Sequence, residues 1–336
     1  MTAKLEDIAK KANVSVATVS RVVNKSKYVA PELVEKVNAV INEVGYSPNQ
    51  IARSLVLKKT KLIGVIIPDI SQRFYSILLS GIEEVTSRCD YNILICNIAD
   101  NLEKEYKYLN MLNKMRADGI IIMHEKFSPE VEKLLESMNV PIVLSSVRSQ
   151  HAKNAFSVNI DDFRASYEAV EYLTKLGHRK IAMIGGDLAD ITTGQSRYSG
   201  YRQALQDNGI ELNEEYFKIG NFRISDGYRA MNEILKARKP PTAVFVVSDE
   251  MAIGVIDCIT DKGLSVPKDI SVIGFDDIDL ASLIKPKLTT VHQPIKEIGM
   301  KSAELLIKQF ENETIEVREV VMSYSLVVRE SCSFIK

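Results

Sequence analysis

Apolar residues recur at helical spacing in three stretches of the N-terminal region. In the first stretch, Leu5, Ile8, Ala9 and Ala12 occupy the i, i+3, i+4 and i+7 positions of one helix face. The other two stretches repeat the spacing, with Val19, Val22 and Val23 on one face of the second and Leu33, Val37, Val40, Ile41 and Val44 on one face of the third. The pattern predicts three short amphipathic helices.

The ends of these helices are marked by residues with known terminal preferences. The first helix is expected to stop at Asn13, and Ser15 can accept a hydrogen bond from a free N–H group at the start of the second. Pro31 suits the first turn of the third helix, and Gly45 suits its left-handed cap. Three such helices with a tight turn between the first two predict a minimal helix-turn-helix domain.

The second predicted helix presents mostly small residues on its outward face. That face would expose Val16, Ala17, Ser20, Arg21 and Asn24. Small residues permit close approach to the major groove of DNA, and an arginine can donate to both acceptors on the edge of guanine. The face therefore favours a DNA-recognition helix over the alternative, a protein-interaction module with Arg21 in solvent.

A fourth helical pattern follows Gly45 and is too short to be stable alone. Asn49 is its expected cap, and Ala52 and Leu55 lie along one face. Two copies of such a segment can pair on DNA and insert an apolar side chain between base pairs from the minor groove, with Leu55 as the wedge. The alternative is a plain linker, which a leucine among basic residues disfavours.

From residue 61 onward, apolar strand-like runs alternate with helical patterns. The runs are Leu62–Pro68, Ile93–Asn97, Gly119–Met123, Pro141–Ser145, Lys180–Gly185, Ala243–Ser248 and Ser271–Phe275. Continuous apolar strands of this kind predict an α/β fold whose parallel sheets are covered by helices on both faces. Roughly 275 residues is large for one such sheet, so we predict two lobes.

Polar and aromatic residues that come after these strands predict a ligand site, because ligands in open α/β sheets bind beyond the carboxyl ends of the strands. The candidates are Asp69, Phe74, Arg197, Phe222, Ser248 and Asp276. Carboxylate and guanidinium groups can each bond two neighbouring hydroxyls, and a phenyl ring can cover an apolar sugar face. We therefore expect a sugar-like ligand. Asp249, which follows the same strand as Ser248, is either a ligand contact or the cap of the next helix.

Charge is distributed unevenly along the chain. Residues 1–60 hold ten Lys and Arg against five Asp and Glu, a net charge of +5, whereas the whole chain carries −1 and the remainder therefore −6. A basic segment joined to an acidic body favours a polyanionic partner for the N-terminal region.

The same sequence argues against several other classes of protein. No apolar run reaches the roughly 20 residues of a membrane helix, and the first residues lack the apolar core of a secretory signal, so we expect a cytoplasmic protein. Four cysteines without CxxC spacing suggest reduced thiols and no metal site. We expect no cofactor and no enzyme, since the phosphate-loop, nucleophile-elbow and HExxH motifs are missing. A pure sugar-binding carrier would leave the basic helices unexplained.

The N-terminal motifs resemble those of the lactose/galactose repressor family of bacterial regulators. Residues 14–24, VSVATVSRVVN, are similar to the family's recognition helix and include Ser15 and Thr18. Residues 45–55, GYSPNQIARSL, resemble its hinge helix. The similarity continues to the C-terminus, and residues 68–75, PDISQRFY, with the spacing of Gln293-Pro294, most resemble the catabolite-control branch.

This resemblance implies a domain organisation. It implies a helix-turn-helix DNA-binding domain over 1–48, a hinge helix and linker over 49–60, and an effector-binding and dimerisation domain of the periplasmic-binding-protein type over 61–336. The two lobes of the last domain are expected near 62–160 with 294–318, and 161–290 with 320–330. Arg197 and Asp276 match the family's effector-binding positions, followed by Phe74, Phe222 and Ser248.

The resemblance also implies partners and a function. The partners are a second copy of the chain in a homodimer, a pseudopalindromic operator in double-stranded DNA, and a sugar or sugar-phosphate effector. The function is repression of carbohydrate-metabolism genes under the control of that effector. The alternative is a catabolite-control regulator activated by a phosphorylated phosphocarrier protein, bound through basic residues of the helix after Pro294. Here that helix carries Lys301, Glu304 and Lys308. The acid at 304 stands where a base is expected.

Overall fold

The computed structural model describes residues 4–24, 27–46, 59–99, 101–125, 127–138, 140–148, 155–311 and 317–335. The chain forms two compact units, Met1–Lys61 and Leu62–Lys336. Within the described ranges, no helix is both long enough and apolar enough to cross a membrane.

The first unit contains the three helices that the sequence predicts, α1 (Leu5–Ala12), α2 (Val16–Asn24) and α3 (Pro31–Val44). Their ends follow the predicted residues. Asn13 adopts a left-handed conformation after α1, and Gly45 does so after α3 with φ of 61°. The Thr18 N–H group donates to Ser15 Oγ at 3.1 Å, which caps the start of α2.

A small apolar core holds these three helices together. Its buried members are Ile8, Ala9, Ala12, Val19, Val37 and Val40. Leu33 was predicted on the same face but is 37% exposed, because it stands a full turn before Val37, the first buried residue of α3. An ion pair between Lys11 and Glu43, 2.8 Å long, joins α1 to α3 at the surface.

The second unit contains two six-stranded sheets. The first has the order β11-β5-β4-β3-β1-β2, and the second has the order β12-β10-β9-β8-β6-β7. The first six strands are β1 (Leu62–Ile67), β2 (Asn92–Asn97), β3 (Gly119–Ile122), β4 (Ile142–Ser145), β5 (Phe156–Asn159) and β6 (Ile181–Gly185). The others are β7 (Phe217–Ile219), β8 (Ala243–Val246), β9 (Ser271–Asp276), β10 (Thr289–His292), β11 (Glu319–Val321) and β12 (Ser325–Val327).

Neighbouring strands run parallel, as the apolar runs predict, except for β10 with β12. The strands β3, β8 and β9 are buried along their whole length, because helices cover both faces of each sheet. These helices are α4 (Arg73–Arg88), α5 (Leu102–Lys114), α6 (Pro129–Ser137), α7 (Asp162–Lys175), α8 (Arg197–Asp207), α9 (Ile224–Ile234), α10 (Asp249–Asp261) and α11 (Ile295–Phe310). Short helical turns span Ile191–Ser196, Glu214–Tyr216 and Asp279–Ser282.

Each sheet and its helices form one lobe, and the chain passes between the lobes more than once. It leaves the first lobe after β5, returns with α11, and ends in the second lobe with β12. The strand β11 pairs with β5, so residues 320 and 321, which we expected in the second lobe, lie in the first. They form the edge of the first sheet, next to β5.

Helix α11 is fixed in the first lobe by close contact with α4. A Cβ atom on Gly81 would lie 2.0 Å from the backbone oxygen of Lys296, and one on Gly299 would lie 2.1 Å from that of Leu78. The two helices therefore approach to backbone contact, which only glycine permits at these positions.

His178 ties the end of the described chain to the second sheet. The imidazole is 3% exposed. Its Nε2 lies 3.1 Å from the backbone oxygen of Ser333, and its Nδ1 lies 3.0 Å from Thr242 Oγ1. Since a carbonyl oxygen only accepts, Nε2 carries the hydrogen and Nδ1 accepts from Thr242. Burial lowers the pKa of His178 below its ordinary value.

This histidine predicts a pH dependence of stability. Below pH of about 6.5, the ordinary pKa of histidine, the unfolded chain binds a proton that the buried imidazole rejects. The free energy of unfolding should therefore fall as the pH decreases through and below this value. Chemical unfolding at several pH values checks this in the wild type and in His178→Gln. The difference in free energy of unfolding between wild type and variant should become smaller in acid. A difference that stays constant with pH would contradict the prediction.

Candidate ligand cavity and nucleic-acid interface

Helix α2 presents the face that the sequence predicts for DNA contact. Val16 is 41% exposed, and Ala17 and Arg21 are also exposed. Arg21 makes no hydrogen bond or ion pair with any residue of the described ranges, so its guanidinium is available to a partner. Ser15 and Thr18 face each other, with their hydroxyl oxygens 2.8 Å apart, at the start of the helix.

The remaining predicted DNA contacts divide into two groups. Asn24 Nδ2 donates to Ser20 Oγ at 3.2 Å, so these two side chains form one polar unit on α2. The predicted hinge-helix contacts Asn49, Ala52 and Leu55 lie outside the described residues. Tyr28, which the sequence does not single out, is 88% exposed in the loop after α2. Tyr28 follows Lys25 and Lys27 in the sequence and belongs to none of the predicted apolar faces.

A cavity of about 720 Å³ opens in the second unit and is lined by residues of both lobes. This volume lies within the range of roughly 300–1,000 Å³ that small-molecule sites have. Five of the six predicted ligand residues line it, namely Phe74, Arg197, Phe222, Ser248 and Asp276. They come together because the carboxyl ends of the parallel strands in each sheet face the same cleft.

Arg197 is the first residue of α8 and is held from three sides. Its Nε donates to Asp162 Oδ1 at 2.9 Å, and its Nη1 donates to the backbone oxygen of Val247 at 2.7 Å. The guanidinium carbon lies 3.8 Å from the ring centre of Phe275. Both members of the Arg197–Asp162 ion pair are 3% exposed, so the arginine reaches the cavity in one fixed orientation.

Asp276 ends β9 and lines the same cavity. Gln293 Nε2 donates to Oδ1 at 2.8 Å, and no other described residue donates a hydrogen bond to this side chain. Its φ of 117° is uncommon for a residue with a Cβ atom. Burial raises the pKa of Asp276 to about 7, and Arg197 nearby opposes that rise.

Ser248 and Asp249 have different roles at the start of α10. Ser248 is the cap, because its Oγ accepts from the Met251 N–H at 3.2 Å. Asp249 is fully buried and does not line the cavity. It accepts from the Thr290 hydroxyl at 2.6 Å and from the Ile278 N–H at 2.9 Å. Asp249 thus holds the turn after Asp276 in place, and it is neither the helix cap nor a residue of the cavity lining.

Asp69 does not line the cavity, contrary to its prediction as a ligand contact. Its Oδ1 accepts from Ser71, and its Oδ2 accepts from Arg223 Nη2 of the second lobe at 2.9 Å. A second ion pair, between Arg73 and Asp279 at 2.6 Å, also joins the lobes. Asp69 follows a strand as predicted, but its Oδ2 binds Arg223 of the opposite lobe instead of lining the cavity.

Sequence reasoning also missed two buried residues of the cavity. Glu125 lies two residues beyond the third predicted strand, and its carboxylate accepts from the N–H groups of Ile191 and Thr192 in the second lobe at 2.5 and 2.9 Å. Burial raises the pKa of Glu125. Ser146 directly follows β4. Both residues follow a strand, which is the same signal that identifies Asp276.

Phe222 covers part of the cavity from a strained position. Its φ is 59°, in the left-handed region that side chains with a Cβ atom seldom adopt. Its ring lies against Gly186, where a Cβ atom would come within 3.1 Å of the ring. Phe74 and Tyr75 contribute two more rings, with centres 5.4 Å apart in an edge-to-face arrangement. The cavity therefore combines aromatic faces with fixed polar groups.

Two family models match the chain, one within each structural unit. The model of bacterial regulatory proteins of the lacI family matches residues 4–49, and the model of the periplasmic binding protein-like domain matches residues 170–332. The HTH-type transcriptional regulator RegA of Clostridium acetobutylicum is 40% identical over 334 residues, which cover 99% of this chain and 100% of that protein. The chain belongs to the LacI family of bacterial transcription regulators.

Further relatives agree with this assignment. Catabolite control protein A of Priestia megaterium is 39% identical over 98% of this regulator and 99% of that protein. The solved structure of a lac repressor dimer bound to operator and the anti-inducer ONPF has a TM-score of 0.89 at 27% identity, covering 99% of this regulator and all of that chain. The resemblance that the motifs predict is confirmed, as are the helix-turn-helix and the α/β fold. This regulator is a DNA-binding transcription regulator, and its relatives are regulators and not enzymes.

Proposed function

We propose that this regulator is a repressor of carbohydrate-metabolism genes that binds a pseudopalindromic operator as a homodimer and is controlled by a sugar-like effector. The cavity carries the proposal, because its lining comes from both lobes. Phe74 belongs to the first lobe, whereas Arg197 and Asp276 belong to the second. A ligand that contacts all three favours one separation of the lobes over others.

The chemistry of the lining suits a polyhydroxylated molecule. Arg197 offers a fixed guanidinium, Asp276 offers a carboxylate, and Ser146 and Ser248 offer hydroxyl groups. Each of these groups can bond to a sugar hydroxyl. The ring of Phe222 can cover the apolar face of a pyranose or furanose.

The coupling to DNA follows from a change in lobe separation. In the proposed dimer, two copies of α2 enter successive major grooves of the operator, and two hinge helices insert Leu55 between its central base pairs. A ligand that changes the lobe separation shifts the first lobes of the dimer against each other and so favours or prevents hinge-helix pairing. Coupling free energies of about 1–3 kcal/mol are typical of such switches.

Selection of bound sequences from random duplexes tests this proposal, with and without a panel of sugars and sugar phosphates. The expected result is a palindrome whose enrichment changes with one class of sugar. The variant Asp276→Ala should recover the same palindrome but lose the ligand response. A palindrome indifferent to every sugar, or a full response in the variant, would contradict the assignment of the cavity.

The second candidate function is regulation by a phosphorylated phosphocarrier protein, and the similarity to a catabolite control protein is the observation that favours it. The charges of α11 weigh against it. Glu304 pairs with Lys301 at 3.3 Å, and Lys296 pairs with Glu84 at 2.7 Å. These pairs reduce the positive potential that a phosphorylated partner requires. Operator selection in the presence of a phosphorylated phosphocarrier protein separates the two functions.

A further inference from the structure

The ionisable groups that line the cavity are mostly acidic. The acidic side chains in its lining are Glu125, Asp187, Asp190, Asp226, Glu250 and Asp276. The guanidinium groups there are those of Arg197 and Arg229. With all of these groups ionised, the lining carries four more negative than positive charges. Such a cavity attracts cations and repels anions.

Both arginines of the lining are already paired with carboxylates. Arg197 is bound to Asp162 at 2.9 Å, and Arg229 is bound to Asp226. An anionic ligand would therefore find no unpaired cation among the arginines. It would have to displace a carboxylate from one of them, and in the case of Arg197 that carboxylate is buried and cannot reach water.

Glu125, Glu250 and Asp276 are carboxylates of the lining that accept hydrogen bonds from neutral groups. Glu250 Oε1 accepts from the Arg73 N–H at 2.5 Å, and Asp276 Oδ1 accepts from Gln293. These donors are neutral amides, so neither carboxylate meets a cation in direct contact within the described residues. Burial raises the pKa of both groups, and the charge of Glu250 raises the pKa of Asp276 further. The charge of Glu250 thus disfavours ionisation of Asp276, and the guanidinium of Arg197 opposes this effect.

Two further features of the lining suit an amine-bearing polyol. The Ser146 side chain is 8% exposed, and no described residue forms a hydrogen bond with its hydroxyl, which leaves that group to a polar ligand. The rings of Phe74, Tyr75 and Phe222 face the same space. Aromatic faces attract cations as well as the apolar faces of sugars.

We propose that the effector of this cavity carries a positive charge, as an amino sugar does, and that its ammonium group binds at the acidic lining to which Glu250 and Asp276 contribute. This inference rests on the proposed function, in that the cavity must be the effector site. The inference names the class of effector. An ammonium group relieves the repulsion between the two carboxylates, and a neutral sugar leaves that repulsion unchanged. A sugar phosphate adds further negative charge.

Calorimetric titration of the full-length protein with matched sugars tests the inference. The probes are glucose, galactose and mannose, each as the neutral parent, the 2-amino derivative, the 6-amino derivative and the 6-phosphate. In the series that binds best, an amino derivative should bind at least about tenfold more tightly than its parent, the factor that corresponds to one pKa unit. The 6-phosphate should bind most weakly.

Charge-removing variants supply the control. Glu250→Gln and Asp276→Asn should each bring the affinity ratio of amine to parent towards one, while thermal unfolding reports that they remain folded. Asp257→Asn removes an exposed carboxylate from the same helix as Glu250 and should leave the ratio unchanged. A ratio that does not respond to Glu250→Gln or Asp276→Asn would overturn the inference.

The failures of the two proposals are distinguishable. If a neutral parent or a 6-phosphate binds as tightly as the amines, the charge inference is wrong while the sugar-controlled function stands. If no member of the panel binds to the protein, the sugar-like effector is wrong and the charge inference is overturned with it.

Discussion

Replacing Arg197 by methionine should lower the free energy of unfolding by about 3–5 kcal/mol, the range typical when one partner of a buried ion pair is removed. The substitution leaves Asp162 buried with only the longer contact to Arg148 Nη1, at 3.4 Å, among its described cationic neighbours. It also removes the donor to the Val247 carbonyl. Chemical unfolding measures the loss, and operator binding with and without ligand should show that the ligand response is abolished.

The pH dependence and a second variant separate this cause from a loss of packing. Burial already raises the pKa of Asp162 in the wild type. Without Arg197 the folded state favours protonation more strongly, so the loss of stability should be smaller in acid and larger above the pKa of the carboxyl. The double variant Arg197→Met with Asp162→Asn should recover much of the stability. A loss that neither acid nor the double variant reduces would point to packing.

Replacing Arg21 by alanine should weaken binding to the selected operator by about 1–3 kcal/mol, or roughly 5- to 150-fold. Arg21 is exposed and unpaired within the described residues, so the loss would come from contacts with DNA and not from unfolding. Preference at the base pair that it contacts should also relax. Repeating the duplex selection with the variant, together with a binding titration on the wild-type operator, measures both effects.

The variant Lys36→Ala is the matched control, since Lys36 is exposed on α3 and outside the recognition helix. It should change affinity for all sequences alike and leave the selected palindrome intact. An Arg21→Ala protein that selects the same palindrome with the same stringency would remove Arg21 from base recognition.

Local signals explain why the first unit could be predicted almost completely. Asn13, Ser15 and Gly45 act on backbone groups within a few residues of themselves, so their effects can be read from the sequence. The buried parallel strands were predictable for a related reason. A strand that is covered on both faces must be apolar at nearly every position, and this produces the continuous runs at β3, β8 and β9.

The cavity could be predicted only in part, because much of its geometry depends on contacts between distant residues. Position after a strand identified Asp276 and also suggested Asp69, but the sequence does not reveal that Arg223 engages Asp69. Likewise, Glu125 meets N–H groups 66 and 67 residues away. No spacing rule predicts such a contact, since it depends on how two lobes face each other.

The placement of β11 and β12 has a consequence for how the protein is made. The ribosome synthesises these edge strands of both sheets after nearly all of the rest of the chain, whereas the core of the first unit is complete by residue 46. A nonsense codon anywhere between residues 62 and 318 therefore spares the helices α1, α2 and α3 and removes at least β11 and β12, one edge strand of each sheet. Translation that stops early would thus take away control by the effector before it takes away the DNA-contact surface.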